Sequence, residues 1–426
     1  MTTATRPGHA PGPAARAVRL GLVTSGFNVA STAAAGVAGI LIARSLGPAA
    51  RGEYAAIMVV FVVLVVVGGL GQSAATTFFV ARERDRAPRY LAVSRNLLLA
   101  SGAATLVLGA LAAPLFASGA GGSVWGYRLM FATCLAAFVG TAYLGALQAA
   151  RIGRWNVIRI CQPLAYLAGI AVLHAAGRLT LVNAVLLFGA TTLAQTLLAW
   201  LCCARDRLTA GRPDYALLRP LARYGAGQLA ATIPVVVVAR LDQLAMAATV
   251  DPAVLGHYSV AASVTTLAVP VAAGLGYVAF PRIAAQRGGQ PGQVRLQRRA
   301  VTASAGIGIL IMAPLVLLAP WLVPALFGPG FRDSVLLVVL LAPGGVFLAC
   351  QQVCADLLRG HGKPFLVARA QAVAAAVMVV LLAALLPTFG APGAAVASST
   401  AAATAFLLLR RALHRVLPPE QKEPTA

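Results

Sequence analysis

Acidic side chains are scarce in this chain. Eleven Asp and Glu stand against 34 Lys and Arg, and charged residues of both signs fill only 11% of the 426 positions. Carboxylates this sparse, with no DxD and no large connection to cluster them in, speak against a membrane glycosyltransferase or polysaccharide polymerase. Cysteine is equally limited. Cys134, Cys161, Cys202, Cys203, Cys350 and Cys354 lie in or at the ends of apolar segments, without CxxC or Cys/His ligand spacing. They read as small buried hydrophobes, and no metal site and no cofactor is expected. Long polar connections are missing too, and with them a separate soluble domain.

What is abundant is apolar sequence. At 59% hydrophobic residues and a mean hydropathy of +0.83, the chain holds more apolar material than a soluble core needs. Twelve segments between residues 20 and 409 reach the roughly 20 residues that cross a bilayer, among them 20–43, 55–80, 157–176 and 224–249. The connections between them alternate in charge. Seven on one side, termini included, carry 28 Lys and Arg; the six opposite carry five, and Arg240 remains inside a segment. The positive-inside rule places both termini in the cytoplasm. A net charge of +23 could signal nucleic-acid binding, but here it is spread over short loops on one face rather than gathered in a basic domain. No nucleic-acid partner is expected.

The loop "LGPAARGEYAA" (46–56) returns as "VDPAVLGHYSV" (250–260) at an offset of 204, which pairs Pro48 with Pro252, Gly52 with Gly256 and Tyr54 with Tyr258. The same offset pairs Arg19 with Arg223, Gly21 with Gly225, Thr24 with Gln228 and Asn28 with Thr232. "GLG" at 69–71 recurs at 274–276. The expected architecture is therefore an all-α integral membrane protein of twelve transmembrane helices in two parallel six-helix repeats. Its bounds are a disordered cytoplasmic tail at 1–18, an N-terminal bundle at 19–210, a C-terminal bundle at 211–410 and a cytoplasmic tail at 411–426.

Thr24 and Asn28 on helix one, and Gln228 and Thr232 on helix seven, lie at helical spacing and form matching polar stripes. Such stripes face either a packed neighbour or a water-filled cavity, because lipid would leave their groups unsatisfied. Arg240 and Asp242 are ionisable groups inside a span, where charge is costly and commonly functional. At i,i+2 they point apart, so each needs its own partner or cavity. Pro234 and Pro270 are candidate hinges, since proline removes a helical hydrogen bond and both lie on the helix pair that carries the repeat.

The stretches "GFNVASTAAAGVAGILIARSLGPAARGEYAA" and "GLGQSAATTFFVARERD", with "ARLDQLAMAATVDPAVLGHYSVAASV" and "LFGPGFRDS" later, resemble the polysaccharide-precursor flippases of the multidrug/oligosaccharidyl-lipid/polysaccharide exporter superfamily. The resemblance spans nearly the whole chain. It implies a transporter rather than an enzyme, in a bacterial plasma (inner) membrane. Such a protein moves a polyprenyl-pyrophosphate-linked oligosaccharide or polysaccharide repeat unit to the outer leaflet by alternating access. Implied partners are that lipid-linked substrate, membrane lipids, a coupling proton or cation, and polysaccharide assembly proteins. Within this resemblance Arg240 is the candidate for the pyrophosphate. The same superfamily contains multidrug cation antiporters. These generally use cavity carboxylates, of which helix one here has none and helix seven has Asp242.

Overall fold

The computed structural model describes residues 13–118, 123–272 and 291–416, and the described chain is helical throughout. We number its helices α1 (Pro13–Gly68), α2 (Gln72–Arg82), α3 (Ala87–Ser118), α4 (Val124–Ala150), α5 (Ile152–Ala175) and α6 (Leu181–Arg205) in the N-terminal half. The C-terminal half contributes α7 (Leu218–Thr249), α8 (Pro252–Thr265), α9 (Pro291–Phe327), α10 (Ser334–Gly360) and α11 (Pro364–Val416). Among the described residues, ten helices are long and apolar enough to cross a membrane. Two of these are not single rods: α1 is interrupted at Gly47 (φ 73°) and α11 at Gly390 (φ 60°). Both glycines take backbone conformations that side-chain-bearing residues resist.

Helix starts follow the local chemistry. Ser123 accepts a hydrogen bond from the Gly126 amide at 3.3 Å, and Thr180 accepts one from Asn183 at 3.2 Å. Asp251 accepts from Ala253 at 2.7 Å, with Pro252 at the first helical position, where its missing N–H costs nothing. Gly47 and Pro48 hold the equivalent places 204 residues earlier.

The structure corrects two sequence expectations. The span expected at 55–80 is broken: α1 ends at Gly68, and Leu70 (φ 50°) and Gly71 (φ 65°) turn the chain before α2. Helix α1 is already formed at Pro13, within the tail expected to be disordered at 1–18; α11 runs to Val416. The second "GLG", at 274–276, lies outside the described residues.

Helices α1–α6 pack among themselves, as do α7–α11, and the two sets meet mainly through α1 with α7 and α8 and through α2 with α7. The repeated loop lies at the first of these contacts. A Cβ added to Gly52 would lie 1.6 Å from the Pro252 carbonyl oxygen, and one added to Gly256 would lie 2.0 Å from that of Pro48. Equivalent residues thus touch reciprocally, backbone against backbone, an approach that only glycine permits. A second glycine pair joins α2 to α7: Cβ atoms on Gly71 and Gly225 would meet the Gly225 and Leu70 carbonyls at 2.2 and 2.5 Å. Beside it, the buried Gln72 donates to the Leu221 carbonyl at 3.5 Å, and Phe78 stacks on Tyr224 at 4.6 Å between ring centroids.

Candidate functional site

The two polar stripes meet different fates. On α1, the Thr24 hydroxyl accepts from Asn156 Nδ2 at 3.0 Å and Asn28 Oδ1 accepts from the Arg159 guanidinium, both from α5 in the same half. Arg159 also lies over the Trp155 ring, 4.2 Å from its centroid. Further along α5, Gln195 of α6 donates to the Ile158 carbonyl at 3.2 Å. The stripe on α7 stays open. Gln228 is exposed, and the Thr232 hydroxyl turns back to the Gln228 carbonyl at 2.8 Å. A Cβ on Gly26 or Gly227 would meet nothing within 4 Å, so open space borders both helices at this level.

Asp242 and Arg240 part company as their spacing dictates. Asp242 is 4% exposed, and its carboxylate accepts the Tyr258 hydroxyl at 2.5 Å, the Ser398 hydroxyl at 3.0 Å and the Gln243 amide at 2.7 Å. It ties α7 to α8 and to the part of α11 beyond Gly390. Three donors satisfy this carboxylate without a counter-cation. Arg240 is exposed, and neither an ion pair nor a hydrogen bond engages its guanidinium among the described residues. Pro234 sits in an unbroken α7, whereas Pro270 follows a turn at Thr266 and Leu267 that ends α8.

Two cations escaped the sequence reading because they were counted with loops. Arg159 lies seven residues into α5, about 10 Å along the helix axis at 1.5 Å per residue. Trp155 and Arg159 at i,i+4 were the available signal. Arg51, assigned to a connection, is 8% exposed on α1, with its Nε unpartnered and its guanidinium 5.4 Å from the centroid of the Tyr54 ring. The Tyr54 hydroxyl is hydrogen-bonded to that of Tyr166 at 2.8 Å, while its repeat mate Tyr258 serves Asp242. The equivalent tyrosines therefore anchor opposite buried charges in the two halves.

Apolar helices of spanning length, with charged and polar groups carried inside them, define a multi-pass helical membrane protein. Residues 18–286 match the family model described as polysaccharide biosynthesis protein. The chain belongs to that family. No curated protein matches it. Among solved structures it is similar to the lipid II flippase MurJ in an inward closed conformation, with a TM-score of 0.74 and 12% identity over 91% of this chain and 87% of that one. It is similar also to an inward-facing multidrug resistance MATE family transporter of the MOP superfamily, with a TM-score of 0.69 and 16% identity over 91% and 95%. An outward-facing MATE structure gives 0.61 and 18% over 95% and 97%. At these identities the likeness is one of fold, and the fold is that of MOP-superfamily transporters.

Proposed function

We propose that this protein is a flippase that carries a polyprenyl-pyrophosphate-linked oligosaccharide or repeat unit from the cytoplasmic to the outer leaflet by alternating access. The observation that carries the reading is the reciprocal glycine contact between equivalent helices, set at one end of two helix groups, with the polar stripe of α7 left open. Membership in a polysaccharide biosynthesis family supports the sugar, and the shared fold with a lipid II flippase supports the lipid carrier. Division of α1 at Gly47 and of α11 at Gly390 turns ten candidate spans into twelve, in keeping with two six-helix repeats. With both termini cytoplasmic in a bacterial plasma membrane, the Gly52–Gly256 contact closes the outer end. The greater likeness to inward-facing than to outward-facing MATE structures agrees with that state.

In this scheme the anionic head needs cations along its path while its tail stays in lipid. Arg240 offers an exposed guanidinium on α7, and Arg159, held by Asn28 and Trp155, brings a second cation on α5. Thr24, Asn28, Gln228 and Thr232 supply hydroxyl and amide groups for the sugar. Asp242 is the group for a coupling proton or cation, and Pro234 and Pro270 are the places where helices seven and eight would bend. The second reading is a multidrug cation antiporter, favoured by Asp242, a buried acid in a chain with MATE fold likeness. Proteoliposomes decide between them. The flippase reading expects a fluorescent lipid-linked pyrophosphate sugar to become accessible on the opposite leaflet and no ethidium accumulation. Ethidium transport without lipid flipping would establish the antiporter instead.

A further inference from the structure

A second polar cluster lies at the end of the N-terminal helix group that the charge count assigns to the cytoplasm. A cavity of about 280 Å³ is walled there by Arg84, Arg151 and Asp206, with Val80, Ala87 and Ala150 among its apolar lining. The topology brings helix ends of both polarities to it. Arg151 is the N-cap of α5, which brings the positive dipole end of that helix to this region, whereas the start of α3 is closed by the Ala87 amide bonding the Arg84 carbonyl. Helices α2, α4 and α6 end nearby and present carbonyls.

The charged side chains repeat this division. Asp206, the C-cap of α6, is 15% exposed; its Oδ1 accepts from Arg154 Nη1 at 2.7 Å. Its Oδ2 is buried and ion-paired with Arg151 Nε at 3.8 Å, a distance too long for a hydrogen bond, so it accepts none. A buried carboxylate oxygen in a cavity wall that has an ion pair but no hydrogen bond leaves room for a donor. The Arg84 guanidinium has no partner among the described residues and borders the same cavity. Next in the chain, Arg207 holds a left-handed conformation (φ 57°), and the Leu208 amide closes back on the Cys203 carbonyl at 2.9 Å. This ending fixes the Asp206 backbone.

We propose that this cavity is a binding site for a zwitterionic phosphoester: the phosphate lies against Arg84 and Arg151, and a primary ammonium donates to Asp206 Oδ2. The volume is near the lower limit of ligand pockets, which suits a head group and leaves no room for an oligosaccharide. The inference therefore does not depend on what is transported. Phosphatidylethanolamine is the bilayer component with this chemistry, and phosphoethanolamine is its soluble counterpart. Phosphatidylcholine has the same phosphate but no N–H donor.

The test is binding to the full-length protein in detergent, followed by thermal melting and native mass spectrometry. Phosphatidylethanolamine is expected to raise the melting temperature and to be retained in preference to phosphatidylcholine. Loss of one charge-assisted hydrogen bond in Asp206→Asn should weaken phosphatidylethanolamine binding by about tenfold and abolish the preference. Arg84→Gln, at an exposed residue without partners, should keep the fold and weaken both lipids. A parallel titration with phosphoethanolamine against phosphocholine separates the sources. Stabilisation by the soluble compound assigns a free ligand, and stabilisation by the lipid alone assigns the bilayer. Equal retention of the two lipids by the wild type overturns the proposal. If Asp206→Asn fails to fold, Arg84→Gln decides alone, and unchanged lipid binding in that variant sinks the idea.

Discussion

Arg240 and Asp242 stand two positions apart on one helix, yet the packing treats them oppositely. Arg240 is exposed and unengaged, so its replacement should leave the fold intact. If it meets the pyrophosphate, Arg240→Lys keeps partial flipping because the charge survives while the bidentate fork is lost. Arg240→Gln should nearly abolish flipping at normal expression, measured in proteoliposomes. Full activity of the glutamine variant would remove Arg240 from the path. Asp242 is held by Tyr258 and Ser398 across three helices. Asp242→Asn keeps an acceptor for one hydroxyl and should insert normally, but flipping should lose its dependence on the ion gradient. Asp242→Leu strands both hydroxyls and should destabilise the protein by about 1–3 kcal/mol, read as a lower melting temperature. Sequence spacing alone showed that these two ions could not pair with each other. It could not name Tyr258 or Ser398, because Ser398 lies 156 residues away and only the docking of α11 brings it to α7. Arg159 was hidden for a different reason: a charge beside a basic connection looks like part of that connection until the helix start is known.

The informative elements are the helices that glycine divides or brings together. A straight helix of 56 residues, the length of α1, would extend about 80 Å, far beyond a bilayer of about 30 Å. The left-handed Gly47 and Gly390 resolve that conflict. Gly47→Val and Gly390→Val should therefore insert poorly, seen as reduced membrane yield. Gly52 carries a separate constraint, since any side chain there collides with the Pro252 carbonyl at 1.6 Å. Overpacking of about 1–3 kcal/mol in Gly52→Leu should move the equilibrium between closed and open outer ends by roughly tenfold to a hundredfold. Impermeant thiol labelling of a cysteine near the contact should rise, and flipping should fall. Unaltered labelling and flipping would show that the contact is static packing.

At the scale of the whole molecule, the charge asymmetry makes a direct prediction about orientation. Arg86 and Arg178 are both exposed and lie at opposite ends of the N-terminal helix group. In a background lacking the six native cysteines, Arg86→Cys should react with an impermeant maleimide only from the cytoplasmic side, and Arg178→Cys only from outside. Labelling of both from one side would overturn the map. The membrane class, most of the apolar segments and the duplicated loop were legible in the sequence, because each depends on local composition or on comparison of the chain with itself. Hydrocarbon thickness sets the length of an apolar run, loop charge biases insertion, and a duplicated loop repeats its turn residues. The break at Leu70–Gly71, the burial of Arg51 and the partners of Asp242 were decided only in three dimensions. So was the purpose of the repeated glycines: nothing in "PAARG" or "PAVLG" shows that one will rest on the other. That contact exists because two groups of helices, folded from segments about 200 residues apart, bring equivalent backbones closer than any side chain would allow.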